Sequence, residues 1–588
     1  MLRELCVANY LLTLRYLAEQ RMNQAKRLRL PRGLPIIAWV CVAICILPMG
    51  AVLVSSIGGI GTVASLAETV LPRYALTTAL LCVIVGFGTA IIGTGTAWLV
   101  TATDFPGRRF FEIALALPLT YPAYVLAYAY TDLLDHPGVV QTTLRDVMGW
   151  GPRDYWFPEI RSLGGAAAML TFVLYPYVYL LARAAFLQQS STAYVAARSL
   201  GKKPWAAFMS VSMPIARPAI AGGVLLALME TLADYGTVAY FGVQTFATGI
   251  YLSWFSLFDR TAAAQLALCL LVFALVLAVL ETSQRRNQRH HGAGRRFERM
   301  DPSRLQGLKA LWAIVFCGFP VVFGFLLPTL NLLGLAWDSG QILLSPRYLG
   351  FLQHSITLAG IAAIITVGVA IAISFNARVN ESRSARTAVS VAGIGYAVPG
   401  GVIAVGLLFP FAAFDNAIDH FMETRFGIDT GLLITGSIWL MIMAYMIRFM
   451  AVALNAFDAG LSTMHPNVDA VARTLGQTPG SMLRRVHLPI LRSSIFTALL
   501  IVFVDVMKEL PATLILRPFN YDTLAVQAHR LASDERLAEA AVPSLAIGAV
   551  GLLPVILLCW SLGRERNRFS RPGSQTETGA RKDARAKV

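Results

Sequence analysis

Four acidic residues stand inside otherwise apolar stretches: Glu230, Asp234, Asp505 and Glu509. A carboxylate at the centre of a membrane helix costs roughly 3 kcal/mol, so such residues are rare and usually functional. They form two pairs, each at i, i+4 spacing, and the pairs lie 275 residues apart. That spacing puts both acids of a pair on one helix face. A helix disruptor follows each pair, Gly236 in one case and Pro511 in the other. Carboxylate oxygens are hard donors that suit hard cations, so one reading of the four is a cation path. The other is a buried ion network, with Lys508 as counter-charge, that holds helices together. No metal site is assigned.

Other chemistry is hard to find. The seven cysteines form no CxxC pair, which supports neither a zinc site nor a disulfide framework. There is no GxxxxGK[ST] phosphate loop, no HExxH, no GxSxG and no dinucleotide fingerprint. The chain is therefore expected to have no catalytic residue and no cofactor of its own, and its energy must come from a partner or a gradient.

The elements that position the acids are membrane helices. Of 588 residues 56% are hydrophobic and 14% charged, with a mean hydropathy of +0.61. A soluble domain carries about 25% charged residues. Twelve stretches approach the ~20 apolar residues that a span needs. They lie near 35–57, 75–100, 111–131, 164–185, 219–241, 263–281, 308–336, 352–376, 388–412, 431–454, 493–516 and 542–562. With the N-terminus inside, the inside segments hold 36 of the 49 Lys and Arg and the outside loops hold 10. The positive-inside rule then puts both termini in the cytoplasm. The net charge of +16 is thus a topology signal, and no nucleic-acid partner is expected. The fold class is all-α and polytopic. Its parts are a cytoplasmic segment 1–34, a first transmembrane half 35–281, a basic linker 282–307, a second half 308–562 and a cytoplasmic tail 563–588.

The two halves repeat. Residues 196–220 and 471–495 share ten identities in 25 positions, among them Arg198/Arg473, Gly201/Gly476, Pro204/Pro479 and Pro214/Pro489. Each half has an even number of spans, so the repeat is parallel, an arrangement found in transporters with a path at the interface. Within the repeat, Ala-Arg-(Ser/Thr)-Leu-Gly is followed after nine residues by Val-x-(Met/Leu)-Pro. The pattern reads as helix, glycine break at Gly201 or Gly476, short helix, proline stop. Such a short helix can fit a partner's groove.

These two loops resemble the coupling loop, or EAA loop, of binding-protein-dependent ABC importer permeases. The resemblance implies that Ala197, Leu200, Gly201, Val211 and Pro214, with Ala472, Leu475, Gly476, Val486 and Pro489, couple the chain to an ATPase. Ala197, Leu200, Ala472 and Leu475 would make the apolar contacts. The family's glutamate is replaced by Val195 and Ala470, with Asp469 beside the latter. The segments Glu230-Thr-Leu-Ala-Asp234-Tyr-Gly236, Lys508-Glu509-Leu-Pro511-Ala-Thr and Gly395-Tyr-Ala-Val-Pro399-Gly400 are similar to the fused ferric-iron permeases. That resemblance implies a type I importer permease fold with cores at about 72–281 and 350–562, in a bacterial inner membrane. It implies as partners two copies of an ATPase subunit, which bind ATP and magnesium, a periplasmic binding protein and membrane lipid. It implies iron(III) as cargo. Fused permeases for thiamine or 2-aminoethylphosphonate share the architecture, and a gradient-driven secondary transporter is the alternative of a different class.

Overall fold

The computed structural model of the chain describes residues 33–58, 66, 68–187, 189, 191–289, 302–341, 345–380, 382–465 and 467–569. Nearly all of the expected segment 1–34, most of the tail 563–588 and the centre of the linker lie outside these residues. Among the described residues twelve principal helices carry the fold. In the first half they are α1 Gly33–Ile57, α2 Leu71–Ala102, α3 Ala123–Leu134, α4 Leu163–Leu187, α5 Met213–Ala233 and α6 Arg260–Arg289. In the second they are α7 Leu308–Asp338, α8 Pro346–Val379, α9 Gly400–Phe426, α10 Ile438–Thr463, α11 Arg492–Lys508 and α12 Leu537–Phe569.

Ten helices among the described residues are long and apolar enough to cross a membrane, or up to 12 if each of two bent pairs counts as one span. The expected span 111–131 is one of those pairs. Its chain turns by 92° between Arg108–Thr120 and Ala123–Met148, where Pro122 has extended backbone. The expected span 388–412 is likewise interrupted, by a 3₁₀ turn at Gly393–Ala397 and extended Pro399 before α9 starts. Proline disfavours helical backbone at the residue before it, and both breaks fall at X-Pro. Helices α6 and α12 run past the expected ends at 281 and 562, because nothing in their polar continuations breaks a helix.

Burying apolar surface gives helices in lipid little driving force, so close approach and internal hydrogen bonding matter more. A Cβ on Gly93 would lie 2.6 Å from Val178 Cβ, and one on Gly223 would lie 2.7 Å from Val178 Cα. Helices α2, α4 and α5 thus meet almost backbone to backbone. Three threonines of α2 satisfy themselves: Thr89, Thr96 and Thr101 each donate to the carbonyl four residues back.

The halves exchange their first helices. Helix α1 packs on α8 and α9, and on the second-half segment Arg383–Ala392, as well as on α6. Trp39 Nε1 donates to Ser384 Oγ at 3.1 Å, and a Cβ on Gly406 would sit 2.3 Å from the Pro48 carbonyl oxygen. Reciprocally, α7 lies against α3 and α12. Tyr130 donates to the Phe323 carbonyl at 2.6 Å, and Asn331 Nδ2 donates to the Ala129 carbonyl and Asp132 Oδ2, both at 3.0 Å. The sequence boundaries at 35–281 and 308–562 therefore mark the repeat but not two separately packed bodies. A two-residue parallel bridge, Thr103–Asp104 with Ser303–Arg304, holds the end of the linker against the end of α2.

Candidate translocation cavity and coupling loops

The repeat brings all four predicted acids to one cavity of about 140 Å³ between the halves. Leu119, Tyr121, Tyr124, Tyr177, Tyr235 and Tyr396 line it, with Arg448 and Lys508. Several lining positions are related by the 275-residue offset: Val173 and Arg448, Glu230 and Asp505, Ala233 and Lys508, Asp234 and Glu509.

The acids do not share one helix face as the i, i+4 spacing predicts. Helix α5 ends at Ala233 and α11 at Lys508. Asp234 (φ −70°, ψ 126°) and Glu509 (φ −70°, ψ 123°) have the same extended backbone, and a new short helix follows each, Gly236–Tyr240 and Pro511–Leu516. The first amides of a helix have no partner within it, and these two side chains supply one. Asp234 Oδ1 accepts from the amides of Thr237 (3.0 Å) and Val238 (3.2 Å), and Oδ2 accepts from Thr237 Oγ1 (3.0 Å). Glu509 Oε1 accepts from the Ala512 amide (2.8 Å), and Oε2 accepts from the Thr513 amide (3.0 Å) and hydroxyl (2.6 Å). Asp234 and Glu509 are thus committed to backbone, and the break in each half falls at the second acid itself.

Glu230 and Asp505 are not so committed. Glu230 Oε2 lies 3.9 Å from Arg448 Nη2, and Asp505 Oδ1 lies 3.6 Å from Lys508 Nζ, both longer than a hydrogen bond. Their side chains are 28% and 29% accessible. Lys508 Nζ also donates to the Leu119 carbonyl at 3.3 Å, across the halves. The two readings of the acids therefore divide by position: the second of each pair holds structure, and the first faces the cavity with oxygens to offer. Among the described residues no three His, Cys, Asp or Glu side chains converge closely enough to hold a metal ion. Sequence reasoning missed Arg448 and the tyrosines as site residues. The signal for Arg448 was present, since it is a lone charge within the first sixteen residues of α10.

The coupling loops keep the predicted glycine breaks. Gly201 has φ +83° and Gly476 φ +74°, the left-handed region where residues other than glycine are strained. Each ends its helix with paired hydrogen bonds: Gly201 N to the Arg198 carbonyl and Lys202 N to the Ala197 carbonyl, Gly476 N to Arg473 and Gln477 N to Ala472. The proline stop is not observed. Short helices Pro204–Ala207 and Pro479–Met482 pass through π turns, Phe208–Ser212 and Leu483–His487, and Pro214 and Pro489 then sit in the first turn of the next helical segment. Both prolines thus stand inside continuous helical runs, Pro204–Ala233 and Pro479–Ile490, directly after a π turn that already interrupts the i→i−4 ladder a proline cannot join.

Of the expected apolar contacts, Leu200 (83% exposed) and Leu475 (73%) project outward. Ala197 and Ala472 turn inward and are buried, since they lie on the side of the helix that packs against the body of the half. Val211 and Val486 are half-buried, and Pro214 and Pro489 exposed. Asp469 faces inward as well. Its carboxylate accepts from Arg378 Nε at 2.7 Å and pairs with His487 Nε2 at 2.8 Å, which anchors the second loop to α8. The first loop has rings at the corresponding place: Trp98 of α2 packs on Phe186, Tyr194 and Phe208, with centroids 4.4–5.6 Å apart.

A parallel helical repeat, a charged cavity between its halves and a glycine-capped loop in each define a membrane transport permease. Residues 89–290 match the family described as binding-protein-dependent transport system inner membrane component. Permeases of this class work with an ATPase and a substrate-binding protein.

Among individual proteins, the chain is similar to the Fe(3+)-transport system permease protein FbpB 2 of Haemophilus influenzae. The two are 26% identical over 487 residues, which is 82% of this chain and 88% of that protein. It is 22% identical over 528 residues to the probable ABC transporter permease protein y4fN of Sinorhizobium fredii, covering 84% and 89%. It is 29% identical over 145 residues to the molybdenum transport system permease protein ModB of Escherichia coli, covering 25% of this chain but 60% of that one.

Proposed function

We propose that this chain is the permease of an ATP-driven importer that carries iron(III), handed over by a periplasmic binding protein, through the cavity between its halves. The observation that carries the reading is the pair Glu230 and Asp505, repeat-related carboxylates that face one cavity and are only loosely paired with Arg448 and Lys508. Hard oxygen ligands suit ferric ion, and the loose pairing suits a path, where an ion must leave as readily as it enters. The name of the similar Fe(3+)-transport permease of Haemophilus influenzae supports the choice of cargo. The two coupling loops support two copies of an ATPase subunit per chain, with ATP and magnesium bound there and none here. The distribution of basic residues supports cytoplasmic termini.

The mass of the purified complex checks the stoichiometry, and two permease chains per complex would overturn it. Radiolabelled iron uptake by cells expressing the whole complex checks the cargo. Glu230→Gln with Asp505→Asn is expected to lower uptake at least tenfold while the complex still assembles. Unchanged uptake would remove both carboxylates from the path, and uptake of thiamine or 2-aminoethylphosphonate in place of iron by the wild type would replace the cargo.

A further inference from the structure

The charges around the cavity do not balance, since four carboxylates face only Arg448 and Lys508. Arg448 enters from α10, and the residue is 8% exposed. It is attracted by Glu230, Glu509 and Asp505, yet its contact with Glu230 is 3.9 Å long. Its Nη1 is buried without a hydrogen-bond partner. A guanidinium that braces helices closes on a carboxylate at about 2.7–2.9 Å, often through two parallel bonds. Arg448 is instead desolvated and loosely held, which is costly for a permanent brace. Its repeat-related position is Val173, so the first half places no cation there. Room for it is made at Gly400, where a Cβ would lie 2.9 Å from Arg448 Nη1 and 2.6 Å from Glu509 Oε1.

We propose that Arg448 is a tethered counter-ion: its guanidinium takes the place of a cation between Glu230 and Asp505 until cargo arrives, and a hard polyvalent cation binds there only when Arg448 is displaced. This rests on reading the chain as a cation permease. It explains how a cavity lined with carboxylates refuses stray cations between deliveries, and why the contacts of Arg448 are long. Removing its charge should convert the resting cavity into a cation site.

The test uses the complete complex in lipid nanodiscs without ATP, with terbium(III) as a hard trivalent probe whose luminescence is sensitised by nearby tyrosines such as Tyr124, Tyr177 and Tyr396. Arg448→Gln is expected to bind terbium at least tenfold more tightly than the wild type, because a like charge within a few ångströms of the probe is lost. Arg448→Lys keeps the charge and should stay near wild type, and Glu230→Gln with Arg448→Gln should fall back toward it. Equal terbium binding by Arg448→Gln and wild type would overturn the proposal. Should Arg448→Gln fail to assemble, assembly of the charge-balanced double variant would support it, and failure of both would mark Arg448 as a brace and overturn it. Iron uptake by the wild-type complex is measured in parallel. Its absence sinks the cargo assignment, whereas its presence without the terbium gain sinks only the counter-ion.

Discussion

The loop of the first half is pinned by rings and the loop of the second by charges. Trp98, Phe186, Tyr194 and Phe208 hold the first, and at the positions 275 residues on stand Ile373, Leu461, Asp469 and Leu483. Arg378, Asp469 and His487 hold the second, and their counterparts are Thr103, Tyr194 and Ser212. Not one anchoring side chain is kept. The backbone between the anchors is nevertheless the same: a left-handed glycine, a four-residue helix starting at proline, a π turn. What the halves have in common is therefore a shape offered outward, tipped by Leu200 and Leu475, and any interior chemistry that holds this shape still serves.

If shape is the shared quantity, breaking it should cost more than breaking either anchor. Gly201→Val with Gly476→Val forces a β-branched residue into left-handed backbone at both loops, roughly 1–2 kcal/mol each, and misaims both short helices. Iron uptake is expected to vanish while the amount of chain in the membrane stays normal, and full uptake would end the role assigned to these loops. Next in size come the anchors. Asp469→Ala leaves Arg378 and His487 without their partner and should loosen the second loop by about 2–3 kcal/mol. Trp98→Ala should loosen the first by up to about 3 kcal/mol, limited by its being half-buried. Protease cleavage of each loop reads the effect. Raising the salt concentration should mimic a small part of the Asp469 change, since these charges are largely buried, and leave the ring-held loop alone. Equal salt sensitivity of both loops would erase the contrast. The smallest effect is expected from Gly400→Ala, whose Cβ would displace the ends of Glu509 and Arg448 at a cost of about 1 kcal/mol. A several-fold fall in uptake with normal assembly checks it.

Much of this was legible in the sequence. Span count, the repeat, the glycine breaks and the convergence of four acids all follow from composition and spacing, because they depend on local periodicity and on one offset. The breaks at Asp234 and Glu509 were hidden by apolar residues that run on through 219–241 and 493–516. Pro511 marks the first turn of a new helix rather than the end of the old one. Arg448 was counted as a charge and not placed, since nothing local says that α10 turns that residue toward α5 and α11. The inward turn of Ala197 and Ala472 is a matter of which side of a short helix meets the body, and alanine fits either side. The exchange of α1 and α7 left no local trace at all, being decided by shapes that meet only in the folded chain.

That exchange also sets a clock on biogenesis. The backbone that meets Pro48 belongs to Gly406, which leaves the ribosome roughly 350 residues later. At about 5–20 residues per second that is roughly 20–70 s. Throughout that interval α1 is in the bilayer without the surface it will finally cover, and its exposed positions are met by lipid or by the insertion machinery. The first half cannot finish before the second has begun, so the chain assembles as one event even though its sequence is written as two.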